Sequence, residues 1–243
     1  MRDDLNSGKL AEPLELKFDC EKCKDLGYIE TVSDTGYEIY KPCTCQIKKQ
    51  NERNMQRANY KKAFENKDFD NYKSYNKGTE ALKQMCIEFT KQEEARALLL
   101  LGNVGSGKTH LAVATLKEFA KNNYQVNAVN YTELARKLSS MGNDQEAYYN
   151  ILGRYISTRV LLLDDLFKGQ VSPANIKQMY ELINKRYEDN KFTIVTSEYN
   201  FEKLLDLDEA IASRLGQMAR NKYLLNITKL ENYRLKDKGK DKK

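Results

Sequence analysis

Between an apolar run, Ala97-Leu98-Leu99-Leu100-Leu101, and a segment of helical spacing from Thr109 to Phe119 lies Gly102-Asn103-Val104-Gly105-Ser106-Gly107-Lys108-Thr109, which fits the pattern G-x-x-x-x-G-K-[ST] at every position. Few folds can present such a loop. The glycines allow backbone conformations and close approaches denied to other residues, so that successive N–H groups and a helix N-terminus can face a phosphate. A strand must lead into the loop and a helix must lead out, and Leu111, Ala114, Leu116 and Phe119 give the following segment one apolar face. Lys108 adds a mobile positive charge, and Thr109 offers a hydroxyl to Mg²⁺, a cation that prefers oxygen ligands. The pattern in this context predicts a nucleoside-triphosphate site made of Gly102, Asn103, Val104, Gly105, Ser106, Gly107, Lys108, Thr109 and the adjoining His110. The single histidine reads as a packing or capping residue there rather than a catalytic one.

The rest of the chain must supply the sheet. Gln125 to Asn130 reads as a second strand, with Thr132 as N-cap of the helix after it, and a further helix is expected from Gln145 to Tyr155. Val160-Leu161-Leu162-Leu163-Asp164-Asp165 is an apolar run ending in two acids, as expected of a central parallel strand whose carboxyl end meets the ligand. Downstream of a phosphate loop, Asp164 is the expected holder of the Mg²⁺ shell and Asp165 the residue that orients or deprotonates the attacking water. Ser172-Pro173 opens the next helix as N-cap and first residue, and Phe192 to Ser197 is a β-branched strand. Ala210 to Leu215 is expected as a short helix presenting Arg214, and Lys222 to Ile227 as the last strand. Alternation of strands and helices argues for an α/β fold with a parallel sheet covered on both faces.

Before this region come Cys20-x-x-Cys23 and Cys43-x-Cys45, flanking a stretch that reads as a β-hairpin around Asp34-Thr35-Gly36. Four thiolates in two close pairs suit tetrahedral Zn²⁺, and a module this small would take most of its folding free energy from the metal. The alternatives are four free thiols or a redox pair, though a lone redox C-x-x-C leaves the second pair without a role. Cys86 reads as a small buried hydrophobe. From Gln46 to Lys62 the chain is polar and basic, a linker helix or extended arm. The lead-in from Phe64 to Tyr75 carries four aromatic residues that either pack on the main domain or touch a purine.

A length of 243 residues with 40% hydrophobic content allows one α/β domain with a small appendage. The excess of 41 Lys+Arg over 35 Asp+Glu, formally +6, permits nucleic-acid contact, and an ordinary charged surface accounts for it equally well. No apolar run approaches the ~18 residues of a membrane span, and the amino-terminal stretch lacks an apolar signal core, so no membrane association and a cytoplasmic location are expected. The tail from Lys236 to Lys243 is low-complexity and is expected to be disordered.

Taken in order, GNVGSGKTHLA, VLLLDDLF, a strand ending in TS, AIASRL and ENYRLK resemble the AAA+ ATPases of the DnaC/DnaI helicase-loader group, with the IstB transposition helpers as relatives. The resemblance covers about residues 65 to 236, and the cysteine pairs look like the zinc module that precedes the ATPase in some loaders. It implies a P-loop AAA+ parallel sheet covered by helices and preceded by a small zinc-binding module. It also implies ATP, Mg²⁺ and Zn²⁺ as cofactors, with a DnaB-type replicative helicase, single-stranded DNA and further copies of the chain as partners. The domains implied are a zinc-binding helicase-interaction module at 1–47, a basic linker at 48–64, the ATPase domain at 65–235 and the tail at 236–243. By position, Lys108 and Thr109 match the Walker A pair, Asp164 and Asp165 the Walker B pair, and Arg214 the arginine finger that reaches a neighbouring subunit, or else a surface salt bridge. Two departures stand out: Asp165 replaces the usual Glu, and the sensor position reads Ser197-Glu198, where an ionised Glu accepts hydrogen bonds and repels phosphate.

Overall fold

The computed structural model describes residues 17–227, and these fall into two compact units that divide between Gln46 and Ile47. The expected tail and the ENYRLK segment lie outside the described residues.

In the smaller unit β1 (Tyr28–Val32) pairs antiparallel with β2 (Glu38–Pro42), Tyr28 opposite Pro42 and Val32 opposite Glu38. The hairpin expected from the sequence is therefore present. Its faces carry little core: Tyr28, Val32, Tyr37 and Tyr40 are all exposed, whereas Cys23 and Cys43 are buried.

The larger unit is built on a five-stranded sheet in the order β4-β5-β6-β3-β7, every neighbouring pair parallel. Its strands are β3 (Ala97–Gly102), β4 (Val126–Asn130), β5 (Val160–Asp164), β6 (Phe192–Ser197) and β7 (Leu224–Ile227). β3, β5 and β6 are buried along their whole length, which explains their unbroken apolar and β-branched runs: helices cover both faces and no alternation is left to see. The helices are α1 (Thr44–Arg57), α2 (Lys61–Asn66), α3 (Lys77–Phe89), α4 (Lys108–Lys121), α5 (Tyr131–Ser140), α6 (Gln145–Ser157), α7 (Pro173–Glu188), α8 (Phe201–Leu207) and α9 (Glu209–Ala219). This is the helix-covered parallel α/β sheet expected from the alternating pattern, in the P-loop arrangement that the resemblance implies.

Local chemistry sets the helix starts. Ser172 caps α7 in a capping box with Asn175, with Pro173 as the first helical residue. Asn130, not Thr132, caps α5: its side chain accepts the Thr132 N–H at 3.0 Å, placing the helix start two residues earlier than expected. Helix α8, capped by Asn200, was not expected, since seven residues hold too few turns for a clear apolar period.

The segment expected as a basic linker is largely helix α1, and its polar side chains do the packing. The Asn51 amide donates to Tyr124 O at 2.9 Å and its carbonyl accepts the Val126 N–H at 2.9 Å, while Asn54 donates to Val126 O at 2.8 Å. β4 is an edge strand, so its first backbone groups need partners, and two buried asparagines supply them. A residue pattern without apolar periodicity hid this contact.

Two further features fix the core. Phe89 meets Phe119, Phe192 and Tyr223 edge-to-face at 5.2–6.0 Å between ring centres. Arg186, fully buried, donates to the carbonyls of Tyr155, Thr158 and Phe192 and to Thr193 Oγ1, tying α6, α7 and β6 together. Among the described residues no helix is long and apolar enough to cross a membrane.

Candidate functional site

The loop after β3 and the start of α4 form one wall of a cavity of about 400 Å³. Gly107, at φ 87, sits at the N-terminus of α4, and a Cβ there would come within 3.0 Å of the Tyr72 ring. Gly102, at φ 118, passes the Ile227 backbone so closely that a Cβ would lie 2.7 Å from it. At both positions the loop requires glycine.

Lys108 is 6% exposed and its ammonium donates to Gly102 O at 2.7 Å and Asn103 O at 2.6 Å. Its pKa is pulled down by burial, against the opposing charges of Glu198 and Asp165. Ser106 Oγ donates to Asn103 O at 2.8 Å, which closes the loop on itself.

The carboxyl end of β5 faces this loop. Asp164 is 4% exposed, yet three hydroxyls serve its carboxylate. Thr196 donates to Oδ1 at 2.6 Å, Thr109 donates to Oδ1 at 3.2 Å, and Tyr60 donates to Oδ2 at 2.6 Å. The Thr196 hydroxyl also accepts the Asp165 N–H at 2.8 Å, so one β6 side chain positions both acids. A threonine hydroxyl beside a carboxylate is an oxygen donor set of the kind Mg²⁺ takes. Tyr60 and Thr196 were not singled out from the sequence. Thr196 follows from the β5–β6 register, in which Leu163 pairs with Val195, but Tyr60 gave no signal.

Asp165 (φ 56) and Phe167 (φ 59) turn the chain sharply after β5 and bring Lys168 back over the site. The Lys168 ammonium lies 3.0 Å from Asp165 Oδ2 and 2.9 Å from Glu198 Oε1, and these two partners hold its pKa above the ordinary lysine value, Glu198 foremost. The acid at the sensor position is therefore neutralised by a lysine that the motif reading passed over. Ser197 is fully buried and donates to Leu166 O at 2.8 Å, so its hydroxyl serves the turn and not the cavity.

The opposite wall comes from the lead-in before α3. Lys67, Asn71, Tyr72, Lys73 and Tyr75 line it. Asp68 O meets His110 Nε2 at 3.0 Å, and Lys117 reaches both Asp68 and Glu65, which fastens the lead-in to α4. Tyr72 packs edge-on to His110 at 5.2 Å, and burial pushes its pKa up to about 12. His110 thus packs against Tyr72 and ties α4 to the lead-in at the edge of the cavity, and burial holds its pKa below the usual histidine range.

Arg214 lies outside this cavity's lining. It is held on α9 against α7, donating to Asn184 Oδ1 at 2.7 Å, Ala210 O at 2.9 Å and Tyr180 Oη at 3.2 Å, with its guanidinium 5.0 Å from the Tyr180 ring.

In the smaller unit, the sulfurs of Cys20, Cys23, Cys43 and Cys45 all lie within 4.8 Å of one another. Cys20 and Cys43 are 3.8 Å apart and Cys23 and Cys45 3.6 Å, too far for disulfides and close to the ~3.8 Å edge of a tetrahedron with ~2.3 Å Zn–S bonds. The Gly27 N–H donates to Cys23 Sγ at 3.3 Å, a backbone contact of the kind that supports a thiolate. The four thiols share their protons unequally: the Cys45 backbone, with the other three sulfurs, draws Cys43 down to about 7, while burial and the neighbouring sulfurs push Cys45 up to about 12. The cluster could hold a zinc ion. Cys86, fully buried on the inner side of α3, is the small hydrophobe expected.

A family profile described as IstB-like ATP binding protein matches residues 41–241. The chain belongs to that family. It is similar to the phage-like element PBSX protein XkdC of Bacillus subtilis (strain 168), 29% identical over 240 residues that cover 93% of this chain and 88% of that protein. A putative ATP-binding protein of insertion sequence IS232 from Bacillus thuringiensis subsp. berliner is 26% identical and covers 96% of this chain and 92% of its own length. Among solved structures, the crystal structure of the DnaC helicase loader superposes with a TM-score of 0.55 at 27% identity, covering 69% of this chain and 98% of that one. The chain is thus similar both to an insertion-sequence ATP-binding protein and to a helicase loader.

Proposed function

We propose that the chain is an ATP-hydrolysing helicase loader that binds a DnaB-type replicative helicase and, as an oligomer on single-stranded DNA, helps to place it during replication in the cytoplasm. One observation carries this reading: a complete phosphate loop, metal-site carboxylate and second acid are gathered in a fold similar to the DnaC helicase loader over 98% of that chain. The four-cysteine unit, with exposed Tyr28, Tyr37 and Tyr40, would serve as the docking module for the helicase.

ATP would lie with its phosphates at the N-terminus of α4, where unpaired N–H groups and the helix dipole favour negative charge. Lys108 would exchange the carbonyls of Gly102 and Asn103 for phosphate oxygens. Thr109 Oγ1 and the Asp164 carboxylate would hold Mg²⁺, which when bound neutralises phosphate charge. Asp165 would accept a proton from the attacking water as the bond between the γ-phosphorus and the ADP oxygen breaks. Its side chain is one methylene shorter than the usual glutamate, which suits slow turnover. Arg214 would leave its contacts on α7 to reach the γ-phosphate of a neighbouring subunit. The lead-in aromatics Tyr72 and Tyr75 would flank the base. Cys20, Cys23, Cys43 and Cys45 would hold Zn²⁺ as a closed structural site.

The insertion-sequence relatives favour a second reading, a transposition helper that coats duplex DNA. Co-purification with a DnaB-type helicase, with and without ATP, separates the two. Stable retention of the helicase supports the loader. ATP-dependent coating of duplex DNA without helicase retention supports the helper and defeats the loader.

A further inference from the structure

Glu198 faces the cavity that would take the γ-phosphate, and a bare carboxylate there opposes triphosphate binding. Lys168 changes that balance. Its ammonium contacts Glu198 and Asp165 together, at 2.9 and 3.0 Å, and all three side chains line the same cavity as Gly105–His110. An ammonium has three N–H donors, so two carboxylates leave one donor free. The Lys168 side chain is 45% exposed, mobile enough to aim that donor, whereas Lys108 is buried among the loop carbonyls. Lys67, Lys73, Lys108 and Lys168 line the cavity with Asp165 and Glu198, and of these lysines it is Lys168 that ion-pairs with both acids, so its removal strips Asp165 and Glu198 of that shared counter-charge.

We propose that Lys168 is the residue that distinguishes ATP from ADP in this site, donating to a γ-phosphate oxygen while Glu198 acts as a positioning residue that holds it in place. The inference rests on the reading that this cavity binds nucleotide phosphates at the α4 N-terminus. With ADP, Lys168 keeps its two carboxylate partners and touches no phosphate. With ATP it adds a third, charge-assisted bond and screens Glu198 from the incoming charge. The arrangement accounts for a glutamate at a sensor position without requiring it to turn away.

The test is equilibrium dialysis of radiolabelled ATP and ADP, with Mg²⁺, against the full chain and four variants. Lys168→Met should weaken ATP binding about tenfold or more and ADP binding less than about twofold, the range for one hydrogen bond to a charged group. Lys168→Arg should restore most of the ATP preference. The decisive variant is Lys168→Met combined with Glu198→Gln, which should bind ATP more tightly than Lys168→Met alone because the exposed acid is gone. Glu198→Gln alone should keep the ATP preference within about threefold. An unchanged ATP-to-ADP ratio in Lys168→Met, or no recovery in the double variant, overturns the assignment while leaving the nucleotide site standing. A wild-type chain that binds neither nucleotide overturns both.

Discussion

Tyr60→Phe removes one oxygen atom and almost no packing volume, and it strips Asp164 Oδ2 of its phenol donor at 2.6 Å in a place where Asp164 is 4% exposed. Oδ1 keeps Thr196 and Thr109, so the carboxylate stays anchored at one end while its other oxygen is left short of a donor. A hydrogen bond to a charged group is worth about 1.5–3 kcal/mol, and at this size each kcal/mol moves the melting temperature by about 2–4 °C. The variant should therefore melt roughly 3–12 °C below wild type without nucleotide. Saturating Mg²⁺ and ATP should narrow the gap, because a cation beside Asp164 answers the charge the phenol no longer does. Thermal unfolding followed by far-UV circular dichroism suits a chain with no tryptophan and 16 tyrosines. A fall below about 1 °C, or a gap that widens with Mg²⁺ and ATP, would refute the view that Tyr60 supports the metal-site carboxylate.

Other outcomes follow from the same geometry. The purified chain should carry about one Zn²⁺, lost in both Cys23→Ser and Cys43→Ser by metal analysis; full zinc in both variants would place the metal elsewhere. Lys108→Ala should abolish ATP binding, whereas Asp165→Asn should bind ATP and fail to turn it over; wild-type affinity in the first variant sinks the phosphate-loop assignment. The preference for ATP over ADP should be flat from pH 7 to about 9. Lys168 has its pKa raised by Glu198 and Asp165, so its charge is fully present below the ordinary lysine value of about 10.4 and is lost only as pH rises through the higher folded value. A preference that halves by pH 8 would contradict that charge state.

What could be read from the residues was whatever chemistry is local in the chain. The phosphate loop, its strand and its helix are consecutive, and Asp164 and Asp165 end an apolar run that, downstream of such a loop, is the expected central strand. Contacts between distant residues were not legible. Tyr60 and Asp164 stand 104 positions apart, and nothing in a tyrosine after a polar helix announces a carboxylate partner. Asn51 and Asn54 pack by hydrogen bonding to the edge of β4, so a search for apolar period passes over α1. Glu198 looked like a conflict because its counter-charge, Lys168, comes from the turn after a different strand. The hairpin between the cysteine pairs was legible because its turn glycine, Gly36 at φ 84, sits between two β-rich runs.

The most direct measurement is a loading assay on circular single-stranded DNA. A purified DnaB-type helicase is mixed with the circle, with or without this protein and ATP, and helicase retained on the circle is counted after a high-salt wash that strips phosphate-bound protein. Helicase should be retained when protein and ATP are both present, and retention should fall to background with Lys108→Ala. Equal retention without the protein, or no retention under any condition while duplex DNA becomes coated in ATP, would contradict the assignment of this chain as a helicase loader.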